Sequence, residues 1–124
     1  MASIYAKVDE FNYTYLCADP KDADIISVPV KPGNGVVECG TVMFREANGQ
    51  YSPAATADVV ATKDLVVINE TVDTTGEVAE VAAVYRAGRL IDEKVKLAAG
   101  AELSAANKIV LRAQGIKLDP AINV

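Results

Sequence analysis

Apolar and polar residues along this chain alternate in short runs far more often than they recur at helical spacing. The clearest run stands at the start, Ile4-Tyr5-Ala6-Lys7-Val8-Asp9 followed by Phe11-Asn12-Tyr13-Thr14-Tyr15. Period-two alternation of aromatic and β-branched residues sends successive side chains to opposite faces of a strand. Four of the seven aromatics, Tyr5, Phe11, Tyr13 and Tyr15, fall in these first fifteen residues. An isolated strand leaves half its backbone groups unpaired, so this arm is expected to complete its hydrogen bonding on a sheet, its own or another protein's.

The polar, turn-rich stretch Ala18-Asp19-Pro20-Lys21-Asp22-Ala23-Asp24 is expected to separate the arm from the rest of the chain. This divides the protein into an arm and linker over residues 1–24 and one domain over residues 25–124. Residues 25–30 read as a strand ended by Pro29 and the loop Pro32-Gly33-Asn34-Gly35. A second strand spans residues 41–46. Asn48-Gly49 then signals a two-residue hairpin, because a type I′ turn needs positive φ at both central positions. The returning strand holds Gln50 and Tyr51 and stops near Pro53, and residues 54–61 are Ala- and Thr-rich with little period. Leu65-Val66-Val67-Ile68 is continuously apolar, the pattern of a strand buried on both faces.

Between Glu77 and Arg86 the periods conflict. Val78, Val81, Ala82 and Tyr85 fit a helix face, while Val78, Ala82 and Val84 fit one side of a strand. Ala87-Gly88 followed by Arg89-Leu90-Ile91 favours a hairpin turning at Ala87-Gly88. Residues 102–114 predict the main helix. Ser104 caps it, Ala106, Ile109, Val110 and Ala113 form its buried stripe, and Lys108 and Arg112 lie near the negative end of its dipole. Gly115 ends it, with Ile116 folding back on Leu111, and Ile116-Lys117-Leu118 resumes as a strand before Pro120. The expected fold class is mixed α+β, mainly β, with one main helix near the C-terminus.

Composition narrows the picture. The 124 residues suit one core, burying about 60–70% of the unfolded surface. With 51% hydrophobic residues but only two Phe and no Trp, that core is expected to be small and β-branched. Seventeen acidic against twelve basic residues give a net charge of −5, and the cations are scattered. Nucleic acid is therefore not an expected partner, since its affinity comes from clustered cations on phosphates. Cys17 and Cys39 without any histidine do not supply a metal-ligand set, and both read as small buried hydrophobes, a disulfide being left open by the spacing. Residues 1–10 lack a leader pattern and no run approaches about twenty apolar residues, so a soluble intracellular product without a membrane partner is expected.

Catalytic groupings are equally sparse. No histidine stands ready as a base, and Ser27, Ser52 and Ser104 fall in strand, turn and cap settings. The carboxylate pairs Asp22 with Asp24, Glu77 with Glu80 and Asp92 with Glu93 lie in polar surroundings and read as solvated surface. The chain is expected not to be an enzyme and to use no cofactor, metal or small-molecule substrate. Arg86 and Arg89, flanking the expected turn, are candidate contacts to an acidic partner, while Arg112 reads as a helix-end charge.

Five motifs in order, Gly40-Thr41-Val42-Met43, Gly49-Gln50-Tyr51-Ser52-Pro53-Ala54, Val67-Ile68-Asn69-Glu70, Ala83-Val84-Tyr85-Arg86-Ala87-Gly88 and Leu111-Arg112-Ala113-Gln114-Gly115-Ile116, give the chain a further character. Over residues 36–118 it resembles the head decoration proteins of tailed bacteriophages, the lambda-type capsid-stabilising family. The resemblance implies a small β-barrel-like sheet system assembling as a homotrimer on the outer surface of the expanded capsid. It implies a virion protein, made in the host cytoplasm, that bridges neighbouring major capsid proteins against internal genome pressure. In such proteins the N-terminal segment adds a strand to a sheet of the major capsid protein, a mode in which main-chain bonds give affinity and alternate side chains specificity. Ile4, Tyr5, Val8, Phe11, Tyr13 and Tyr15 are the candidate capsid-binding residues. This arm departs from the Pro-, Ser- and Gly-rich arm of the lambda member, which leaves pairing within the trimer as the alternative to pairing with the shell. A reading from another class is a β-rich carbohydrate or cell-surface binding accessory module of a phage particle, with exposed aromatics stacking on sugars; the lack of Trp counts against it.

Overall fold

Short runs of Val, Ile and Leu bounded by Gly and Pro can bury both faces only inside a sheet system, and the chain folds accordingly. The computed structural model describes residues 17–119. Its strands are β1 (Cys17–Val30), β2 (Val36–Val37), β3 (Val42–Arg45), β4 (Tyr51–Pro53), β5 (Leu65–Ile68), β6 (Val72–Asp73), β7 (Glu80–Ile91) and β8 (Ile116–Asp119). Among the described residues a single α-helix, α1 (Ala105–Ala113), precedes β8, and short 3-10 turns occupy Thr56–Asp58, Asp92–Lys94 and Ala98–Gly100. The molecule is mainly β with a mixed sheet and one helix near the C-terminus.

Six strands run in the order β1-β4-β3-β5-β7-β8, and β1 also pairs with β7. That extra pairing closes β1, β4, β3, β5 and β7 into a barrel-like ring, with β8 added in parallel along the second half of β7. β2 and β6 form a separate two-stranded ribbon. Adjacent residues segregate to two cores, as the strand period requires. Val28, Val30, Met43, Tyr51, Val66, Ile68, Ala82 and Val84 pack together within the ring. Their neighbours Val42, Leu65, Val67 and Tyr85 point the other way and join Leu90, Leu97, Leu111 and Ile116 in a second core, which α1 roofs. β5 is buried at all four positions because it lies between the two cores. Each fully buried Val, Leu or Ile contributes about 1.5–3 kcal/mol relative to exposure.

Several local expectations change. Ala87-Gly88 is no turn: β7 continues unbroken from Glu80 to Ile91, and Gly88 takes φ 144° where its N–H donates to the Gly115 carbonyl at 2.9 Å. The glycine signal marks a close backbone approach within a strand rather than a reversal. The Asn48-Gly49 hairpin forms, with Arg45 opposite Tyr51, but only Gly49 has positive φ, 89°. Gly49 N–H donates to Glu46 O at 2.9 Å and Glu46 N–H to Gln50 O at 2.8 Å, the pattern of a three-residue loop with a bulge. Helix α1 is capped by Ser104 as expected, yet its buried residues are Asn107 and Leu111, while Ala106, Ile109 and Ala113 are exposed and Val110 half-buried. Residues 18–24, expected as linker, belong to β1 and pair irregularly with β7.

Candidate functional site

β1 is the strand that continues the aromatic arm into the domain, and its two edges are treated unequally. Along one edge it pairs with β7 in regular register from Ile25↔Tyr85 to Val30↔Glu80. Upstream the register slips: Asp19 lies opposite Arg89 and Asp24 opposite Ala87, so extra β1 residues bulge out around Pro20. The other edge meets β4 at Val30↔Tyr51 alone, reinforced by Lys31 N–H donating to Tyr51 O at 2.9 Å. Among the described residues, the edge of β1 before Val30 therefore has no neighbouring strand, and such a row of backbone donors and acceptors is a template for an incoming strand.

Beside this edge the ring opens into a cleft of about 600 Å³ whose walls include Ile26, Arg45, Tyr51, Lys63, Asp64 and Arg86. Hairpin register sets Arg45 against Tyr51. Arg86 donates to Asp24 Oδ2 from Nε at 2.8 Å and from Nη2 at 2.5 Å, tying β7 to β1 where the register slips. Lys63 donates to Asp58 at 2.9 Å and lies 4.5 Å from the Phe44 ring centroid, so ring and carboxylate both hold its ammonium. Gln114, just past α1, accepts from Leu65 N–H at 3.0 Å and donates to Lys63 O at 2.8 Å, fixing the end of the helix to the start of β5. Burial pushes the Tyr51 hydroxyl pKa up and Asp64 adds to this, while Arg45 and Arg86 oppose it. The hydrogen bond from Lys63 holds the Asp58 carboxyl below its ordinary value. An exposed strand edge beside a largely polar cleft that holds Arg45, Lys63 and Arg86 is suited to binding an extended polypeptide.

The sequence candidates are distributed differently from expectation. Ile4, Tyr5, Val8, Phe11, Tyr13 and Tyr15 lie outside the described residues. Arg86 and Arg89 do not flank a turn, and they line different clefts. Arg86 faces the cleft by β1, whereas Arg89 donates to Asp119 at 3.2 Å in a second cleft of about 260 Å³ between α1 and β8. That cleft also receives Lys108, Ile109, Arg112 and Lys117, with Lys108 held 3.0 Å from Asp92. Cys39 is a half-buried free thiol that packs against the edge of the second core, and burial followed by Glu70 and Glu38 raises its pKa. Sequence reading missed Arg45, Tyr51 and Lys63. For the first two a signal existed, since the Asn48-Gly49 turn places them opposite each other; nothing local marked Lys63.

Among the described residues, no group of three or more His, Cys, Asp or Glu side chains is placed to hold a metal ion. No described helix is long and apolar enough to cross a membrane. No protein-family model matches the chain, and no curated protein matches it.

Proposed function

We propose that the protein decorates the outside of an expanded bacteriophage head as a trimer, bridging neighbouring major capsid proteins so that the shell resists the pressure of its packed genome. The observation that carries this reading is the continuity of a strand-patterned aromatic arm with β1, a strand whose outer edge before Val30 is unpaired among the described residues. Arm and edge together give the chain two ways to add strands to a sheet of the shell. β1 itself is anchored along β7 and carries Val28 and Val30 into the inner core, so force on the arm is transmitted to the whole ring. Three arms on one trimer act at high effective concentration, and avidity exceeds single-arm affinity by about 10²–10⁴. Stabilisation arises because separating two capsomers requires peeling several strands at once, without any bond being made or broken.

The test is direct. Purified protein mixed with undecorated expanded capsids should bind at a fixed, saturating stoichiometry and raise the temperature at which the particles release DNA. Binding no greater than that of an unrelated protein of equal charge would reject the reading.

A further inference from the structure

Strand β7 separates two ends of opposite charge. Between Asp64 and Tyr85 the chain carries five carboxylates, Asp64, Glu70, Asp73, Glu77 and Glu80, and no Lys or Arg. Glu70, Asp73, Glu77 and Glu80 are all exposed. Val78 and Val81 stand among them with 75% and 69% of their surface in solvent. At the far end of β7, Arg112 and Lys117 are exposed and make no ion pair with another described residue. They border Ile109, which is 70% exposed, in the cleft between α1 and β8. From Val81 to Arg89 an extended strand covers roughly 25 Å at about 3.3 Å per residue, so one chain cannot bring its two ends together.

We propose that these ends are the two halves of one interface between copies of this chain: residues 77–81 of one copy dock into the α1–β8 cleft of the next. Each half combines exposed aliphatic side chains with a surplus of one charge: in the cleft Asp119 and Asp92 take up Arg89 and Lys108, which leaves Arg112 and Lys117 in excess. Val78 and Val81 would bury against Ile109 and Leu118 while Glu77 and Glu80 meet Arg112 and Lys117, giving an apolar centre with a polar rim. A two-fold axis through either face would oppose that face to itself and set like charges together, whereas a head-to-tail contact opposes unlike charges at every junction. Head-to-tail contacts either close into rings or run on as filaments. Three copies per ring rests on the decoration reading; the contact itself rests on the charge and apolar pattern.

Sedimentation equilibrium of the full chain tests it. The wild type should be oligomeric, with an association constant that falls at least about tenfold between 0.1 M and 1 M salt, as the screening length shrinks from about 10 Å to about 3 Å. Arg112→Glu with Lys117→Glu, and separately Glu77→Lys with Glu80→Lys, should each leave monomers with an unchanged circular dichroism spectrum. The chain carrying all four changes should assemble again, because both faces are reversed and complementarity returns. A monomeric wild type, unchanged mass in either double variant, or no recovery in the fourfold variant would overturn the proposal. Capsid binding measured in parallel separates the two readings. An assembled chain that ignores capsids removes the decoration reading alone, and chains that bind capsids but keep their mass through these reversals remove the interface alone.

Discussion

Two strand pairings of this barrel, β7 with β8 and β1 with β4, are both parallel, and they are built to different standards. β7 and β8 share four registered pairs, from Gly88↔Ile116 to Ile91↔Asp119, with α1 packed over the junction. β1 and β4 share one pair, Val30↔Tyr51, beside an open cleft. Parallel pairs are normally covered on both faces and continued along their length, so the second junction is under-built for a purely structural role. The contrast separates where the fold is secured from where, among the described residues, a strand edge is left without a neighbour.

Removing residues 1–15 breaks the comparison most severely on the open side. Attachment to expanded capsids should weaken by about 10²–10⁴, the avidity that three arms supply, while the unfolding midpoint in denaturant stays unchanged. Pelleting with particles measures the first and urea titration the second. Unfolding of the truncated chain would place the arm in the core of the protomer instead.

On the secured side, Leu111→Ala is the largest change to stability. Leu111 is fully buried between α1 and the outer core, and a cavity there should cost about 2–5 kcal/mol in urea unfolding while leaving β1 and capsid attachment intact at low temperature. Gly115→Ala should cost less, about 1–2 kcal/mol. Its φ is 98°, and an added Cβ would come 3.3 Å from Ala87 Cβ, beside the hydrogen bond that joins β8 to β7.

Legibility in the sequence follows the same division. The Asn48-Gly49 hairpin, the Ser104 cap and the Gly115 stop were readable because each is decided within a few residues by backbone geometry. The face of α1 was not. Ala106 and Ile109 fit an apolar stripe, but Asn107 is buried because its amide both closes the capping box and accepts from Thr56 at 3.0 Å. A polar residue drawn inward by a contact fifty-one positions away leaves no local period. Gly88 was misread for the complementary reason: its partner, Gly115, is distant in sequence. The open edge of β1 is a property of ring closure, set by how few pairs β4 makes, and no single segment encodes it.

Arg86→Ala sharpens the comparison with a smaller effect. Arg86 and Asp24 are largely exposed, so losing the pair should change stability by less than about 1 kcal/mol. Attachment should slow by up to about tenfold and lose part of its salt dependence, because the change removes a steering cation beside the strand edge rather than an anchor. Equal on-rates for variant and wild type would take the cleft out of the binding path.

The smallest effect concerns how β4 is held when β1 barely touches it. Ser52 donates a hydrogen bond to Glu46 Oε2 across the hairpin, and this bond first, with Lys31 at 3.4 Å after it, keeps the Glu46 carboxyl below its ordinary 4.5 despite partial burial. A carboxyl whose folded pKa is depressed stabilises fully above its unfolded value and loses that contribution as pH falls through the folded value. Ser52→Ala should therefore cost about 1 kcal/mol at neutral pH, with the difference from wild type shrinking below about pH 4.5 as the carboxylate is protonated in both. A constant difference from pH 7 to pH 3 would mean that the hydroxyl acts through packing. β4 would then depend on the single Val30↔Tyr51 bridge more than its hairpin suggests, and the seam would be less independent of β1 than the open edge requires.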